Sequence, residues 1–252
     1  MELFFSGASG AQEIRMLRDA GIRRYLFDVY DYQRQLKSIR ELKTELGSSI
    51  RLMLDSGAYR EFKSRTQFVS HQDYKALAET SAFSFRVAKD VIGDPEQTMQ
   101  NWLDHYSPAR TLWSFVPVWE FGAPREHLEF YLQEAEVVGI GGLVPSMRGK
   151  DEAMLRELKR LCKKNPGRFH LFGANWLKAL NHLRDSIRSA DTSKFLDGGR
   201  YGHVVFKHEK NGHLSQTPAK ILGFGHLSRQ DRCVESARAI REYCEPEVAT
   251  QD

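Results

Sequence analysis

Short β-rich runs alternate with longer segments of helical periodicity almost from end to end of this chain, and that alternation restricts the fold more than any single motif. The strand-like runs are "LFFSGA", "RYLFDV", "RLMLDSG", "FSFRVAKD", "LWSFVPVW", "VVGIGGLVP", "FHLFGAN" and "SIRSADT". Between them lie segments of helical spacing such as "AQEIRMLRDAG", "YQRQLKSIRELKTELG", "DPEQTMQNWLDHYS", "PREHLEFYLQEA" and "KDEAMLRELKRLCKKNPG". Asp94-Pro95 supplies a helix cap followed by a first-turn proline, and Gly21, Gly47 and Gly167 stand where helices should stop. Alternating strands and helices build a parallel sheet. Eight repeats within 252 residues predict an α/β fold, a single closed (β/α)8 TIM-type barrel more than an open doubly wound sheet.

The barrel core is expected over about residues 3–193. The segment "AYREFKSRTQFVSHQDYKALAETSA" after the third strand is longer than a simple connection and predicts an active-site loop plus a helix. Beyond the eighth strand, "GHVVFKHEKNGHLSQ" carries an Asn211-Gly212 turn between alternating residues and reads as a hairpin. The closing "LSRQDRCVESARAIREYC" reads as an amphipathic helix covering the barrel. No apolar run approaches a membrane span and the N-terminus lacks the pattern of a signal peptide, so a cytoplasmic protein without a membrane partner is expected. Cys162, Cys233 and Cys244 are far apart and odd in number, which argues for packing rather than a disulfide framework or a structural zinc site. No cofactor is called for.

The formal charge of +4 tilts weakly toward a polyanionic partner. Its distribution is more informative. From Arg184 to Lys220 the chain carries Arg184, Arg188, Lys194, Arg200, Lys207, Lys210 and Lys220 against only four carboxylates, which reads equally as a basic binding region or as a solvated face.

Chemistry in such a barrel sits at the C-terminal ends of the strands. Asp55 ends the third expected strand, Asp90 the fourth, Trp119 and Glu120 the fifth, and Asp191 the eighth. Any one of these acids could cap a helix, but three aspartates at matched strand ends point to a site. Gly141 and Gly142 inside the sixth strand signal a close approach, by a ligand or by barrel packing, and Gly173 is similar.

Taken in order, these segments resemble a known family. "LDSGAY" is similar to the aspartate, serine, double-glycine, aromatic signature of the tRNA-guanine transglycosylases, with Ala58 in place of the second glycine. "AKDVIGDPEQT", "GIGGLVP", "HLFGAN" and "SADTS" resemble that family's later strand-end segments, in family order. The family's zinc site of three close cysteines and a histidine has no counterpart here, and "TSKFL" replaces the proline-threonine-arginine run after its nucleophile. The compact chain therefore looks more like the branch that inserts 7-deazaguanine bases into DNA, in phages and bacterial modification islands. In a phage-encoded case the compartment would be the host cytoplasm.

The resemblance implies a double displacement in which Asp191 attacks the sugar C1′ and Asp55 acts as acid and then base. It implies a base pocket of Ser56, Tyr59, Asp90, Gly141, Gly142, Leu143 and Phe172, with Tyr59 and Phe172 sandwiching the ring and Asp90 accepting from the donor edge of guanine. Polymer phosphates would meet Arg188, Lys194, Arg200, Lys207 and Lys210. The implied partners are DNA, with tRNA as the alternative, and a free 7-deazaguanine such as 7-cyano-7-deazaguanine. A further protein could open the duplex. A glycosylase that sends the intermediate to water, and a basic nucleic-acid-binding barrel without catalysis, remain as other readings of the same residues.

Overall fold

A computed structural model describes residues 1–66, 69–80, 82–143 and 151–245. Eight parallel strands form one curled sheet: β1 (Glu2–Phe5), β2 (Arg24–Asp28), β3 (Arg51–Asp55), β4 (Phe85–Arg86), β5 (Val118–Glu120), β6 (Val138–Gly141), β7 (Phe169–Leu171) and β8 (Ser189–Thr192). Their order is β4-β3-β2-β1-β8-β7-β6-β5. The two ends of that row meet just past β4 and just before β5, where Val87 pairs in parallel with Val116. There the Val116 N–H donates to the Arg86 carbonyl at 2.7 Å and the Ala88 N–H to the Val116 carbonyl at 2.9 Å. The fold is the expected TIM-like barrel, with a narrow seam at this join. Pro117 has no N–H to give and only accepts, from the Gly139 amide at 2.8 Å, so regular pairing of β5 with β6 begins at Val118.

Alternation along the strands sorts their residues into two layers. Leu3, Phe5, Tyr25, Phe27, Leu52, Leu54, Val138, Ile140, Phe169 and Leu171 join the large core under the helices. Phe4, Leu26, Met53, Val87 and Val118 form a separate cluster that fills the barrel interior, with Phe85 and Phe172 against it. Counting by two from those interior residues puts Asp28, Asp55 and Glu120 on the inner face at the C-terminal mouth. Asp191 shares its level with Phe4, its register partner on β1.

Several helix starts follow their sequence signals. Asp94 accepts from the Gln97 amide and Pro95 opens the helix Pro95–Asn101, while Ser228 and Asp231 close a capping box on Arg229–Cys244. The stretch after β3 departs from expectation. It holds two helices, Ala58–Ser64 and His71–Ala78, because Gly57 at φ 81° turns the chain directly into the first and Ser70 caps the second. Gln67, Phe68 and Ser81 of this stretch, and Val144 and Pro145 of the expected sixth strand, lie outside the described residues.

The hairpin forms as β9 (His203–Lys207) and β10 (Leu214–Pro218). The helix Arg229–Cys244 packs on β9 and on the helix Ala11–Asp19, so it occupies the eighth helical position of the barrel wall. Cys162, Cys233 and Cys244 are all buried and unbridged. At the foot of the barrel the Glu245 carboxylate accepts from the Leu3 N–H at 2.9 Å and pairs with Arg24 at 2.6 Å. Glu245→Ala should therefore cost about 1–3 kcal/mol, since it strips a partly buried guanidinium and a strand amide of their acceptor together. Urea unfolding at neutral pH measures this, and a loss below a few tenths of a kcal/mol would show that solvent replaces the tie.

Candidate active site

The mouth is built from the ends of β2, β3, β5 and β8. Asp28 and Asp55 are register partners on adjacent strands, so two carboxylates face the same space. Their surroundings differ. Asp28 caps the helix Val29–Arg34 by accepting from the Asp31 amide at 2.7 Å, and Arg60 reaches it at 2.7 Å. Asp55 caps no helix: its Oδ2 takes only a long bond, 3.4 Å, from the Gly57 amide. It touches solvent through the mouth yet is walled by protein, and its carboxyl is pushed up to about 8, by burial first and then by Asp90, Asp28 and Asp191.

Asp191 sits across the ring on β8 and is 5% exposed. Its Oδ1 accepts from the Gly173 amide at 2.8 Å and lies 3.5 Å from His170 Nε2. Asn175 ties the loops after β7 and β8 together, its Oδ1 accepting from the Thr192 hydroxyl and the Ser193 amide, both at 2.9 Å.

Asp90 does not end a strand. Pairing stops at Val87, and the chain beyond is held instead by Asn101, whose amide donates to the Lys89 carbonyl, and by Thr98, whose hydroxyl accepts from the Val91 amide at 2.8 Å. This brings Asp90 into a narrow pocket shared with Glu120, Gly141, Gly142, Thr98, His127, Trp119 and Tyr131. Fully buried Ser56 donates to Asp90 Oδ1 at 3.5 Å. The Asp90 carboxyl is pushed up to about 6, with burial the largest cause and Glu120 the charged neighbour that adds to it.

The inner glycines have packing partners. A Cβ on Gly139 would meet the Phe172 ring at 2.3 Å, and one on Gly142, at φ 71°, would meet Glu120 Cγ at 2.7 Å. Gly141 approaches Val118, and Leu143 is buried in the core under the helices.

The other expected residues fall in different places. Phe172 lies just past β7, edge-on to His170 at 4.5 Å. Tyr59 is 49% exposed on its helix with the Lys63 ammonium 4.8 Å from the ring centre. The two rings belong to strands four places apart around the barrel, and no aromatic ring pairs with Tyr59 among the described residues. Arg188 is a correction. It precedes β8, so it lies at the opposite end of that strand from Asp191, 4.0 Å from Glu2 at the foot of the barrel. Lys194 is tied to Asp197 at 2.7 Å. Arg200, Lys207 and Lys210 are exposed on the segment after β8, and Arg229 reaches beside Gly199, next to Arg200.

Residues that no motif marked hold the frame. Glu61 on the helix Ala58–Ser64 takes Lys89 from the β4 side at 2.6 Å and the Tyr30 hydroxyl from the β2 side at 2.7 Å. Arg60 binds Asp28 and Asp31 on the same flank. Lys89 and Tyr30 are each about thirty residues from Glu61 in sequence, so only the barrel order brings these two to it.

No family model matches this sequence, and no curated protein matches it. Among the described residues no three His, Cys, Asp or Glu side chains are grouped to hold a metal ion, and no helix is long and apolar enough to cross a membrane.

The raised carboxyls fix the sign of a stability test. Asp55 binds its proton more tightly folded than unfolded, so its favourable contribution is complete below about pH 4 and is lost as pH rises through about 8. Asp55→Asn removes that loss. Relative to the native chain, this variant should gain stability between pH 5 and pH 8.5, read by urea unfolding at both values; a constant difference would mean that Asp55 is not raised.

Proposed function

We propose that this chain exchanges guanine in a nucleic acid, DNA foremost, for a 7-deazaguanine base by a double displacement. The observation that carries the reading is a pair of carboxylates in one mouth with opposite surroundings. Asp55 has little hydrogen bonding and a carboxyl raised to about 8, which keeps a proton available at neutral pH. Asp191 is oriented by a backbone amide. A carboxyl that keeps its proton beside a second one held by a backbone donor can divide acid and nucleophile roles in glycosidic chemistry.

In the first half-reaction an Asp191 oxygen lone pair forms a bond to the sugar C1′. The C1′–N bond breaks with its electrons to the departing guanine, which takes the Asp55 proton. In the second, the incoming base gives a proton to Asp55 and its nitrogen attacks C1′, and Asp191 leaves with the bonding pair. Atoms and charge balance without an outside energy source, because the ester conserves the glycosidic linkage. The cavity beside Asp90 supports the recognition step. A carboxylate is acceptor-only when ionised, so it matches the N1–H and amino group on one edge of guanine and of its 7-deaza analogues.

The test follows labelled guanine in DNA and in tRNA, with 7-cyano-7-deazaguanine offered as the incoming base. Without the second base the native chain should release at most one equivalent of guanine, and with it should turn over repeatedly and incorporate that base. Asp191→Asn should abolish release while leaving the fold intact, and release should decline above about pH 8 as Asp55 loses its proton. Repeated release without incorporation would mean hydrolysis. Exchange on tRNA alone would move the reading to that polymer, and near-native turnover in Asp191→Asn would remove the covalent mechanism.

Polymer binding is tested separately. Replacing Arg200, Lys207 and Lys210 by glutamine should weaken DNA binding across all sequences and reduce the slope of log affinity against log salt by about 0.9 for each phosphate that is no longer neutralised. An unchanged slope would make this segment a solvated face.

A further inference from the structure

His170 is the middle residue of β7 and is wholly buried inside the barrel. The strand register sets it opposite Ser189, and Asp191 follows two positions later on the same face of β8. Its Nδ1 lies 2.8 Å from Ser189 Oγ. Its Nε2 has no hydrogen-bond partner and points at Asp191 Oδ1 from 3.5 Å, longer than a made bond. The edges of Phe172 and Phe4 close off the ring, with centroids 4.5 and 6.4 Å away. A buried polar nitrogen without a partner is costly and uncommon, and catalytic hydrogen bonds are often slack until substrate is bound.

We infer that His170 is the positioning residue for Asp191, donating its Nε2–H to Oδ1 and thereby leaving Oδ2 as the oxygen that attacks and departs. The donor sense follows from the partners. An ionised carboxylate can only accept, so Nε2 must carry the proton, and Nδ1 then accepts from the Ser189 hydroxyl. Gly173 already donates to Oδ1, whereas Oδ2 takes no hydrogen bond among the described residues and keeps contact with solvent at the mouth.

The inference rests on the nucleophile role proposed above. When Oδ2 bonds to C1′ and the base leaves with the C1′–N electron pair and the Asp55 proton, Oδ1 becomes an ester carbonyl and a poorer acceptor. The His170 bond is regained only when Oδ2 leaves with the O–C1′ pair as the incoming base bonds to C1′. His170 therefore assists departure of Asp191 more than its attack, and its loss should slow the second displacement selectively.

Two measurements test this. Nitrogen-15 NMR of the native protein should place a proton on His170 Nε2, with its signal displaced in Asp191→Asn; a proton on Nδ1 alone would overturn the inference. In the guanine assay, His170→Phe keeps a ring but has no donor. It should release one equivalent of guanine, accumulate the protein–nucleic acid adduct and complete turnover about 10- to 100-fold more slowly, the range for losing a hydrogen bond to a charged group. His170→Gln, whose amide nitrogen reaches the position of Nε2, should restore most of the rate. Native partitioning between release and completion in a folded His170→Phe would overturn the assignment. Should that variant fail to fold, the NMR measurement on the native protein decides. If the native protein releases no guanine from DNA or tRNA, the functional reading fails while the proton position still decides the role of His170.

Discussion

Parallel barrel strands turn every second side chain inward, and at the mouth of this barrel the inward side chains are acids. Asp28 and Asp55 are paired in register, Glu120 and Asp191 come from the other side of the ring, and Asp90 enters from the segment after β4. Like charges at this density in a walled space must each find compensation or hold a proton. Asp28 has a helix N-terminus and Arg60, Glu120 accepts from the Gly93 amide at 2.9 Å, Asp90 has Ser56, and Asp191 has Gly173. Asp55 has a single long contact. It is the group for which protonation relieves the crowding most directly, and its raised carboxyl follows from its position.

That position depends on the helix that follows Asp55, Ala58–Ser64. Gly57 adopts the left-handed conformation, where a Cβ would also meet the Tyr30 ring at 2.5 Å, and this allows the helix Ala58–Ser64 to begin within a few residues of Asp55. Glu61 then anchors the helix on both flanks, through Lys89 and Tyr30. Lys89 is almost fully buried, and it is tolerated there because both Glu61 oxygens and the Val69 carbonyl receive its protons. The same ion pair links β3 to the segment that delivers Asp90. One electrostatic tie thus sets the spacing between Asp55 and the cavity beside Asp90.

Much of this was legible in the sequence, and the reason is periodicity. Eight alternations of strand and helix sufficed for the barrel, and matched strand ends picked out Asp55 and Asp191 without any contact being known. What stayed hidden depends on register or on neighbours distant in the chain. His170 looks like an ordinary strand residue until β7 is aligned with β8, and Arg60 and Asn175 gain meaning only from partners on other loops. Arg188 misled for a related reason. It stands close to Asp191 in sequence, but a strand runs between them, and nearness along a strand is distance along the barrel axis.

Moving Arg188 to the foot of the barrel narrows how a polymer could approach. Among the exposed cations after β8, Arg200 and Arg229 stand near the mouth, whereas β9 descends along the helix Arg229–Cys244, its Val205 amide meeting Ser236, and carries Lys207 and Lys210 toward the foot. A nucleic acid held by Arg200 and Arg229 would lie at the Asp191 edge of the mouth. Asp191 is nearly buried, so it could not reach a nucleotide stacked in a duplex. On the proposed reading the target must therefore leave its stack. Its phosphates would stay with the basic segment while its sugar crosses to Asp191 and its base to Asp90. The unstacking cost falls on the polymer and is smallest for single strands or mismatched pairs, which is where a partner that opens duplex DNA would have its effect.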